Sequence, residues 1–289
     1  AEALEKAEKS RIHIFIASSD IHLQYKLKMT REQVRARTAA SVRLARSLCA
    51  DVQFSAEDAS RSDPAFLCEL FETAIENGAS TVNIADTVGY AVPDEFAALI
   101  RRVMGGTRNL GDTVVSVHCH NDLGMATANS LAALMAGAGQ VECTLNGLGE
   151  RAGNAAAEEI VMALQTRHDL FGLEHGVDTR MFSRASKTVA SVTGVYVPQN
   201  KPVVGKNAFV HDAGIHQHGV LANPLTYEIM TPQSVGLTGT GLALGKLSGH
   251  HAFEEKLSEL GLVVDPAVSL AAFNAFKDLA CRKKDVSDD

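Results

Sequence analysis

The stretch that decides the fold is Thr113-Val-Val-Ser-Val-His118-Cys-His120-Asn-Asp-Leu-Gly124. Its β-branched first half predicts a buried strand, and Asn-Asp-Leu-Gly predicts a turn that leads into a helix. Because side chains alternate along a strand, His118 and His120 point to one side and Cys119 points to the core. Two imidazoles at the carboxyl end of a strand form half of a divalent metal site. A structural, hydrogen-bonded histidine pair is the equally supported alternative at this point.

Length, charge and cysteine content restrict the class of protein. The chain has 289 residues, enough for one large and one smaller domain, and a formal net charge of −7. That charge argues against nucleic acid or an anionic membrane as a partner. No apolar run is long enough to span a bilayer. Five scattered cysteines without a CxxC spacing predict reduced thiols in a cytoplasmic protein.

Residues 10–170 alternate β-rich runs with amphipathic helical runs, which predicts an α/β fold with a parallel sheet. The predicted strands are Ile12–Ala17, Val52–Ser55, Thr81–Ala85, Val114–His118 and Val141–Leu145. Each ends in polar residues, and only a closed barrel brings every strand end to one centre. We therefore expect a partial TIM (β/α)8 barrel over residues 1–170, with three strands before residue 1. Over residues 171–289, Gly- and Pro-rich connections between helical runs predict a mainly helical accessory region.

A second polar segment, Asn146-Gly-Leu-Gly-Glu-Arg-Ala-Gly-Asn154, follows the fifth predicted strand. A tight turn accounts for its glycines but not for the polar residues between them. The glycine spacing does not match a dinucleotide-binding fingerprint. The amide oxygen of Asn154 is a candidate third metal ligand beside His118 and His120. Two imidazoles and one oxygen leave positions open for a substrate, which is typical of catalytic sites.

Two other strand ends carry candidate chemistry. Glu57 follows Ser55 at the end of the second predicted strand, and Asp86 and Thr87 follow the third. Asp86 is a candidate partner for a metal-binding histidine, and Thr87 is a candidate donor to a carboxylate. The alternative for both segments is a turn or helix cap with acids in the first turn.

Three histidines lie close together in the accessory region, in His211-Asp-Ala-Gly-Ile-His216-Gln-His218, and Thr226-Tyr227 follows. Their spacing matches no zinc signature. A proton-handling role in an active site fits the group better than a second metal site.

Together these motifs resemble the 2-isopropylmalate synthase and homocitrate synthase group of metal-dependent Claisen enzymes. Ser-Val-His118-Cys-His120-Asn-Asp-Leu-Gly and the segment from Asn146 to Asn154 carry the resemblance. Phe-Ser-Ala-Glu-Asp-Ala-Ser-Arg61 and Thr-Tyr-Glu-Ile-Met230 look like the 2-isopropylmalate synthase branch. The resemblance implies condensation of acetyl-CoA with 3-methyl-2-oxobutanoate in leucine biosynthesis, by a homodimer that uses a divalent cation (Mg, Mn or Zn).

The resemblance also implies which residues hold the metal ion: His118, His120, Asn154 and an Asp from an Arg-Asp-Gly motif. No Arg-Asp-Gly occurs in this sequence. We therefore expect the chain to be a fragment that lacks the first barrel strands and the C-terminal regulatory domain, and that is inactive by itself.

The residues implied to bind the 2-oxo acid are Thr87, Ser55 and Asn146. Either Glu57 or His216 would take a proton from the methyl group of acetyl-CoA. His216 and Tyr227 would reach the active site of a neighbouring subunit.

Three alternatives remain at this stage. A citramalate synthase would use pyruvate as the 2-oxo acid. Homocitrate synthase is disfavoured because Gln53 stands where that branch has Arg, so that a second substrate carboxylate would lack its cation. The non-enzymatic alternative is an inactive piece that serves only in dimerisation.

Overall fold

The computed structural model describes residues 2–211, 213–237 and 248–282. They form two compact units, one of residues 1–163 with 169–173 and the other of residues 164–168 with 174–289. Within the described ranges, no helix combines the length and hydropathy that a membrane crossing requires.

The first unit is built on a five-stranded parallel sheet. Its strands are β1 (Ile12–Ala17), β2 (Val52–Glu57), β3 (Thr81–Asp86), β4 (Val114–Cys119) and β5 (Gln140–Glu142). They lie in the order β1-β2-β3-β4-β5, and every neighbouring pair is parallel. A doubly wound sheet reverses its strand order at a switch point, whereas a barrel adds strands in sequence. The order among the described strands is that of a barrel.

Helices connect the strands and continue beyond the last one. In the first half of the chain they are α1 (Asp20–His22), α2 (Arg31–Leu48), α3 (Pro64–Glu76), α4 (Pro93–Gly106) and α5 (Ala126–Met135). The later helices are α6 (Ala157–Thr166), α7 (His168–Phe171), α8 (Phe182–Thr193), α9 (Gly214–Ala222), α10 (His250–Glu259) and α11 (Pro266–Arg282). Thr30 and Gln33 form a capping box at the start of α2, and Asp63 caps α3 ahead of Pro64.

One face of the sheet is apolar and packs against the helices. Helix α2 contacts β1 and β2, α3 contacts β2 and β3, and α5 contacts β4 and β5. Phe54 from the sheet meets Phe71 of α3 edge to face, with ring centroids 6.2 Å apart. Cys119 is fully buried on this side, as alternation along β4 predicts.

The opposite face of the sheet carries a polar network. Ser55 accepts a hydrogen bond from Asn83 at 2.9 Å, and its hydroxyl lies 2.6 Å from Nε2 of His13. Gln53 contacts Arg11 on one side and Glu142 on the other. In a barrel this face is the interior, so the sheet aims its polar groups at the centre where strand ends converge.

The fifth strand is shorter than predicted. It ends at Glu142, and residues Leu145–Gly147 form a 3₁₀ turn instead of continuing the strand. The prediction of a strand to Leu145 was wrong because pairing with β4 ends at Glu142, Thr144 bridges Ala156 instead, and Leu145 begins the turn.

The second unit is helical in its described part, in agreement with the predicted helical accessory region. Phe253, Phe276 and Ala280 form an apolar cluster between α10 and α11, with Leu257 and Phe273 packed against it. Rings of Phe253 and Phe276 stack with centroids 5.3 Å apart. This cluster buries the apolar stripes of both helices against each other.

Candidate active site

His118 and His120 converge at the carboxyl end of β4. Their Nε2 atoms lie 3.1 Å apart, and their ring centroids lie 5.0 Å apart. Two nitrogens that share one ion at about 2.0–2.1 Å each are separated by about 3 Å in tetrahedral or octahedral geometry. The pair therefore has the spacing of two ligands to one metal ion.

Asn154 joins this strand end through its backbone and offers an unused oxygen. It forms an isolated antiparallel bridge with His120, and its Nδ2 donates to the carbonyl of Leu148 at 3.0 Å. Its Oδ1 is buried without a hydrogen-bond partner. A buried acceptor without a partner is costly unless a ligand occupies it, so this oxygen fits a metal ligand.

No group of three or more His, Cys, Asp or Glu side chains is arranged to hold a metal ion in the part of the chain that the structure describes. Two imidazoles and an amide fit a divalent ion that accepts nitrogen and oxygen ligands. The third donor beside His118 and His120 is therefore an amide oxygen, that of Asn154, and not a histidine, cysteine or carboxylate.

Glu142 is a site residue that the sequence analysis missed. Its Oε2 lies 2.7 Å from Nδ1 of His118, and its Oε1 accepts a hydrogen bond from Gln53. Burial alone would raise the pKa of Glu142, but the hydrogen bonds from His118 and Gln53 outweigh it and lower the pKa. A carboxylate on the far nitrogen of a ligating histidine fixes the ring and leaves Nε2 free for the metal.

Asp86, which we predicted as a candidate partner for a histidine, does not hold an imidazole. Its carboxylate accepts from the hydroxyl of Ser60 at 2.7 Å and from the backbone N–H groups of Tyr90 and Ala91. Its role is to close the turn after β3, which was the alternative interpretation. Alternation along β5 could have identified Glu142. Gln140 and Glu142 lie two residues apart, so their side chains point to the same face of the sheet, and Glu142 pairs in register with His118.

Arg151 contacts the second imidazole. Its Nη2 lies 3.0 Å from Nδ1 of His120, 2.9 Å from Asp122 and 2.8 Å from the carbonyl of Thr87. Burial lowers the pKa of His120, and the neighbouring His118 and Arg151 lower that pKa further. A neutral imidazole is the form that can bind a metal ion.

Glu57 lies at the end of β2, with a cation beside it. Its Oε1 is 2.5 Å from Nζ of Lys26 and 3.5 Å from Nδ1 of His22. The next residue, Asp58, donates its backbone N–H to the hydroxyl of Thr87 at 2.8 Å. The ends of β2 and β3 are therefore in direct contact.

Hydrogen bonds link Thr87, at the end of β3, to His120 at the end of β4. Thr87 contacts Asp58 through its hydroxyl, and its carbonyl accepts from Arg151, which in turn contacts His120. Asn146 is tied to α6, because its backbone N–H donates to Glu158 at 3.0 Å. Ser55 sits deeper, in the polar network on the inner face of the sheet.

His216 and Tyr227 pair with each other in the second unit. Their ring centroids are 4.4 Å apart, and both side chains are exposed. Nε2 of His211 lies 3.5 Å from Glu228. Among the described residues of this unit, His211, His216 and His218 belong to no group of three or more His, Cys, Asp or Glu side chains that could hold a metal ion.

Comparisons with known proteins place the chain in a family. A family model described as HMGL-like matches residues 1–189, and a model described as homocitrate synthase post-HMGL domain-like matches residues 203–284. A 2-isopropylmalate synthase of Ruminiclostridium cellulolyticum is 56% identical over 287 residues, which are 99% of this chain and 56% of that protein. The 2-isopropylmalate synthase 1 of Caldanaerobacter subterraneus subsp. tengcongensis is 53% identical over 100% of this chain and 73% of its own length. The chain belongs to the 2-isopropylmalate synthase family.

Its length differs from that of several members of the 2-isopropylmalate synthase family. The chain spans 56% of the relative from Ruminiclostridium cellulolyticum and 56% of the relative from Heliobacterium modesticaldum, which is 53% identical. The family assignment therefore covers this chain, while the activity of the whole protein is a matter for the proposal below.

Solved structures show the fold that this member of the 2-isopropylmalate synthase family adopts. Hydroxymethylglutaryl-CoA lyase from Pseudomonas aeruginosa superposes with a TM-score of 0.56 at 20% identity, covering 68% of this chain and 67% of that chain. The HMG-CoA lyase from Brucella melitensis gives 0.55 at 21% identity, covering 67% and 70%. At such identities the likeness shows the fold alone. The expected TIM-barrel fold, partial here and followed by a helical region, is confirmed.

Proposed function

We propose that the protein containing this chain is a 2-isopropylmalate synthase, which condenses acetyl-CoA with 3-methyl-2-oxobutanoate and hydrolyses the thioester. The observation that carries the proposal is the convergence of the Nε2 atoms of His118 and His120 beside the unpartnered amide oxygen of Asn154. The family assignment then selects this reaction among those that a metal-assisted site supports.

His118, His120 and Asn154 are the residues we propose as ligands of a divalent cation, Mg, Mn or Zn. When bound, that ion would polarise the ketone of the 2-oxo acid as a Lewis acid. Imidazole ligands favour Zn over Mg and Mn, which prefer oxygen ligands. Glu142 would hold His118 with its proton on Nδ1.

We propose that Thr87 binds the carboxylate of the 2-oxo acid. Its Oγ1 already accepts the N–H of Asp58, so the hydroxyl proton remains available to donate to an anion. Ser55 and Asn146 are the other residues we propose for substrate binding, on the inner face of the sheet and in the loop after β5.

In the proposed reaction, a base takes one proton from the methyl group of acetyl-CoA. The methyl carbon then forms a bond to the ketone carbon, and the ketone oxygen becomes a hydroxyl by taking up a proton. Water attacks the thioester, so that the products are 2-isopropylmalate and the free thiol of CoA. Glu57, paired with Lys26, and His216 are the two candidate bases, and Tyr227 is a candidate proton donor.

We propose a homodimer in which His216 and Tyr227 of one subunit complete the site of the other. Support comes from the surface around them, where Ile215, Leu225 and Ile229 are 74%, 81% and 78% exposed. Exposed apolar side chains grouped in this way are typical of protein interfaces. Five unpaired cysteines fit a reducing compartment, so we place the enzyme in the cytoplasm.

Homocitrate synthase is less well supported. Gln53 carries no charge, its amide is bound to Glu142, and the neighbouring Arg11 is paired with Asp51, so a second substrate carboxylate there would lack an available cation. Citramalate synthase remains the alternative enzyme, because the smaller pyruvate needs the same metal and the same carboxylate contacts.

The test is the release of free CoA by the whole protein with 3-methyl-2-oxobutanoate, pyruvate and 2-oxoglutarate in turn. We expect the highest kcat/KM with 3-methyl-2-oxobutanoate, loss of turnover on chelation with EDTA, and recovery with Mn²⁺. Rates with pyruvate that equal or exceed those with 3-methyl-2-oxobutanoate would favour citramalate synthase. No metal-dependent release with any of the three would favour the dimerisation-only alternative.

A further inference from the structure

Arg151 occupies an unusual backbone position beside the proposed metal ligands. Its φ is 53°, in the left-handed region that non-glycine residues seldom adopt. Its guanidinium forms a two-pronged ion pair with Asp122, through Nε at 2.8 Å and Nη2 at 2.9 Å. This pair fixes Nη2 where it also meets Nδ1 of His120 at 3.0 Å.

The contact between Arg151 and His120 determines where the imidazole carries its proton. A guanidinium has only donors, so Nδ1 of His120 must be the acceptor. A neutral imidazole has a single N–H, which then lies on Nε2. Nε2 of His118 lies 3.1 Å away and accepts a hydrogen bond from that N–H, since His118 has its own N–H on Nδ1 facing Glu142. Hydrogen bonds therefore run in one direction, from Arg151 through His120 and His118 to Glu142.

This direction favours one metal ligand and opposes the other. Coordination through Nε2 requires a lone pair on that atom in both imidazoles. Nε2 of His118 has a free lone pair, because Glu142 holds the proton of this imidazole on Nδ1. Nε2 of His120 has none, because Arg151 donates to Nδ1 and leaves the proton on Nε2. The two arrangements of His120 are both neutral and exclude each other.

Arg151 keeps its other hydrogen bonds when it loses the contact with His120. Nη2 carries two hydrogens but contacts three acceptors, namely Asp122, the carbonyl of Thr87 and His120. Without His120, the two hydrogens are still used by the other two acceptors. The ion pair with Asp122 therefore persists when the imidazole turns or changes its tautomer.

We propose that Arg151 is a gate on the metal site, competing with the divalent cation for His120 by holding the imidazole in the tautomer that cannot ligate through Nε2. The inference rests on the metal site of the proposed function and adds a residue to which we assigned no role there. It makes Arg151 a positioning residue that weakens metal binding instead of supporting it.

The first test is the tautomer of His120 in the whole protein, read from ¹⁵N shifts in long-range ¹H–¹⁵N NMR spectra, with His120→Gln to assign the signal. We expect the proton on Nε2 in the protein without added metal, and on Nδ1 after titration with Zn²⁺, which is diamagnetic. A proton on Nδ1 before any Zn²⁺ is added would overturn the proposal, and this measurement needs no variant of Arg151.

The second test is Zn²⁺ affinity, measured by competition with a chromophoric chelator. Arg151→Met keeps the aliphatic stem and removes every donor, so we expect Zn²⁺ to bind on the order of tenfold more tightly. Arg35→Met is the matched control, since it removes an exposed cation whose pair with Glu69 spans 3.6 Å on the helical layer. Unchanged or weaker binding by Arg151→Met would contradict the gate.

His118→Ala separates this proposal from the proposed function. We expect it to lower Zn²⁺ affinity. If Zn²⁺ affinity is unchanged in His118→Ala, both the proposed metal site and the proposed role of Arg151 are wrong. If His118→Ala does lower affinity while Arg151→Met leaves both the tautomer and the affinity unchanged, only the gate is wrong.

Discussion

Oε2 of Glu142 lies 2.7 Å from Nδ1 of His118, so the last strand of the sheet holds the imidazole of the strand beside it. Glu142→Gln keeps the size of the side chain but weakens the acceptor, and we expect Mn²⁺ affinity to fall about tenfold. Isothermal titration with Mn²⁺ measures the change. Glu69→Gln is the control, because it removes the same charge from a 53% exposed side chain on α3. Equal affinities in Glu142→Gln and the wild type would show that this carboxylate does not support the ligand.

A substitution at Gly149 tests whether Asn154 is a metal ligand without changing Asn154 itself. A Cβ at this position would collide with the side-chain amide of Asn154. We expect Gly149→Ala to displace that amide and lower Mn²⁺ affinity about tenfold or more. Gly176→Ala is the control, since a Cβ there meets nothing within 4 Å and the backbone is not left-handed. Retained affinity in Gly149→Ala would argue against Asn154 as a ligand.

Thr87 is expected to contribute to substrate affinity. Thr87→Val removes both the acceptor for Asp58 N–H and the donor to the substrate carboxylate, whereas Thr87→Ser keeps both. We expect KM for 3-methyl-2-oxobutanoate to rise about tenfold in Thr87→Val and to stay near the wild-type value in Thr87→Ser, because a hydrogen bond to a charged group contributes about 1.5–3 kcal/mol. Steady-state kinetics of the whole protein give both values. A similar rise in both variants would indicate a packing effect instead.

The base is identified by proton exchange. Deuterium uptake from D2O into the methyl group of acetyl-CoA reports the first step alone, and general-base catalysis is worth about 10²–10⁴-fold. We expect the deuterium exchange rate to fall by about 10²–10⁴-fold in one of the two variants, Glu57→Gln or His216→Gln, and to stay near the wild-type rate in the other. NMR of the recovered acetyl-CoA measures the uptake. If both variants exchange at the wild-type rate, neither residue is the base.

An ion pair far from the site makes stability depend on pH. Glu72 on α3 accepts from Arg108 at 2.5 and 2.9 Å, and these hydrogen bonds lower its pKa from 4.5 to about 2. A lowered carboxylate pKa stabilises the fold above the unfolded-state value, and this contribution disappears as pH falls from 4.5 towards 2. We expect Glu72→Gln to lower the free energy of unfolding by about 1 kcal/mol at pH 7.

Urea denaturation at a series of pH values checks this pH dependence. The difference between Glu72→Gln and the wild type should shrink below pH 4.5. Glu69→Gln, on the same helix but 53% exposed, is the control and should have little effect at any pH. A difference that stays constant down to pH 2 would mean that Arg108 does not hold the Glu72 carboxylate.

The fold was largely predictable because local signals agree with it. β1 was predicted with its observed bounds, and each of the other predicted strands overlaps an observed one. The end of β5 was not predictable, because Thr144 leaves β4 to bridge Ala156, a contact with the loop that follows. The order of strands was inferred from polar strand ends, and the parallel neighbours in sequence order agree with it.

The candidate site was only partly predictable. Alternation along β4 found His118 and His120 without reference to any other strand. Glu142 and Arg151 were missed as partners of these histidines because their contacts join different strands and loops, which no single stretch of sequence reveals. Alternation along β5 still placed Glu142 on the inner face, and that signal was available.

Cys119 lies between the two imidazoles in sequence but on the other side of the sheet. It is fully buried, and burial raises its pKa to about 12. Oxidants and alkylating agents react with thiolates, so this sulfur is protected at neutral pH, while exposed Cys281 is accessible to them. Strand β4 thus protects the Cys119 thiol from oxidation, although both sequence neighbours are imidazoles on the other, more accessible face of the sheet.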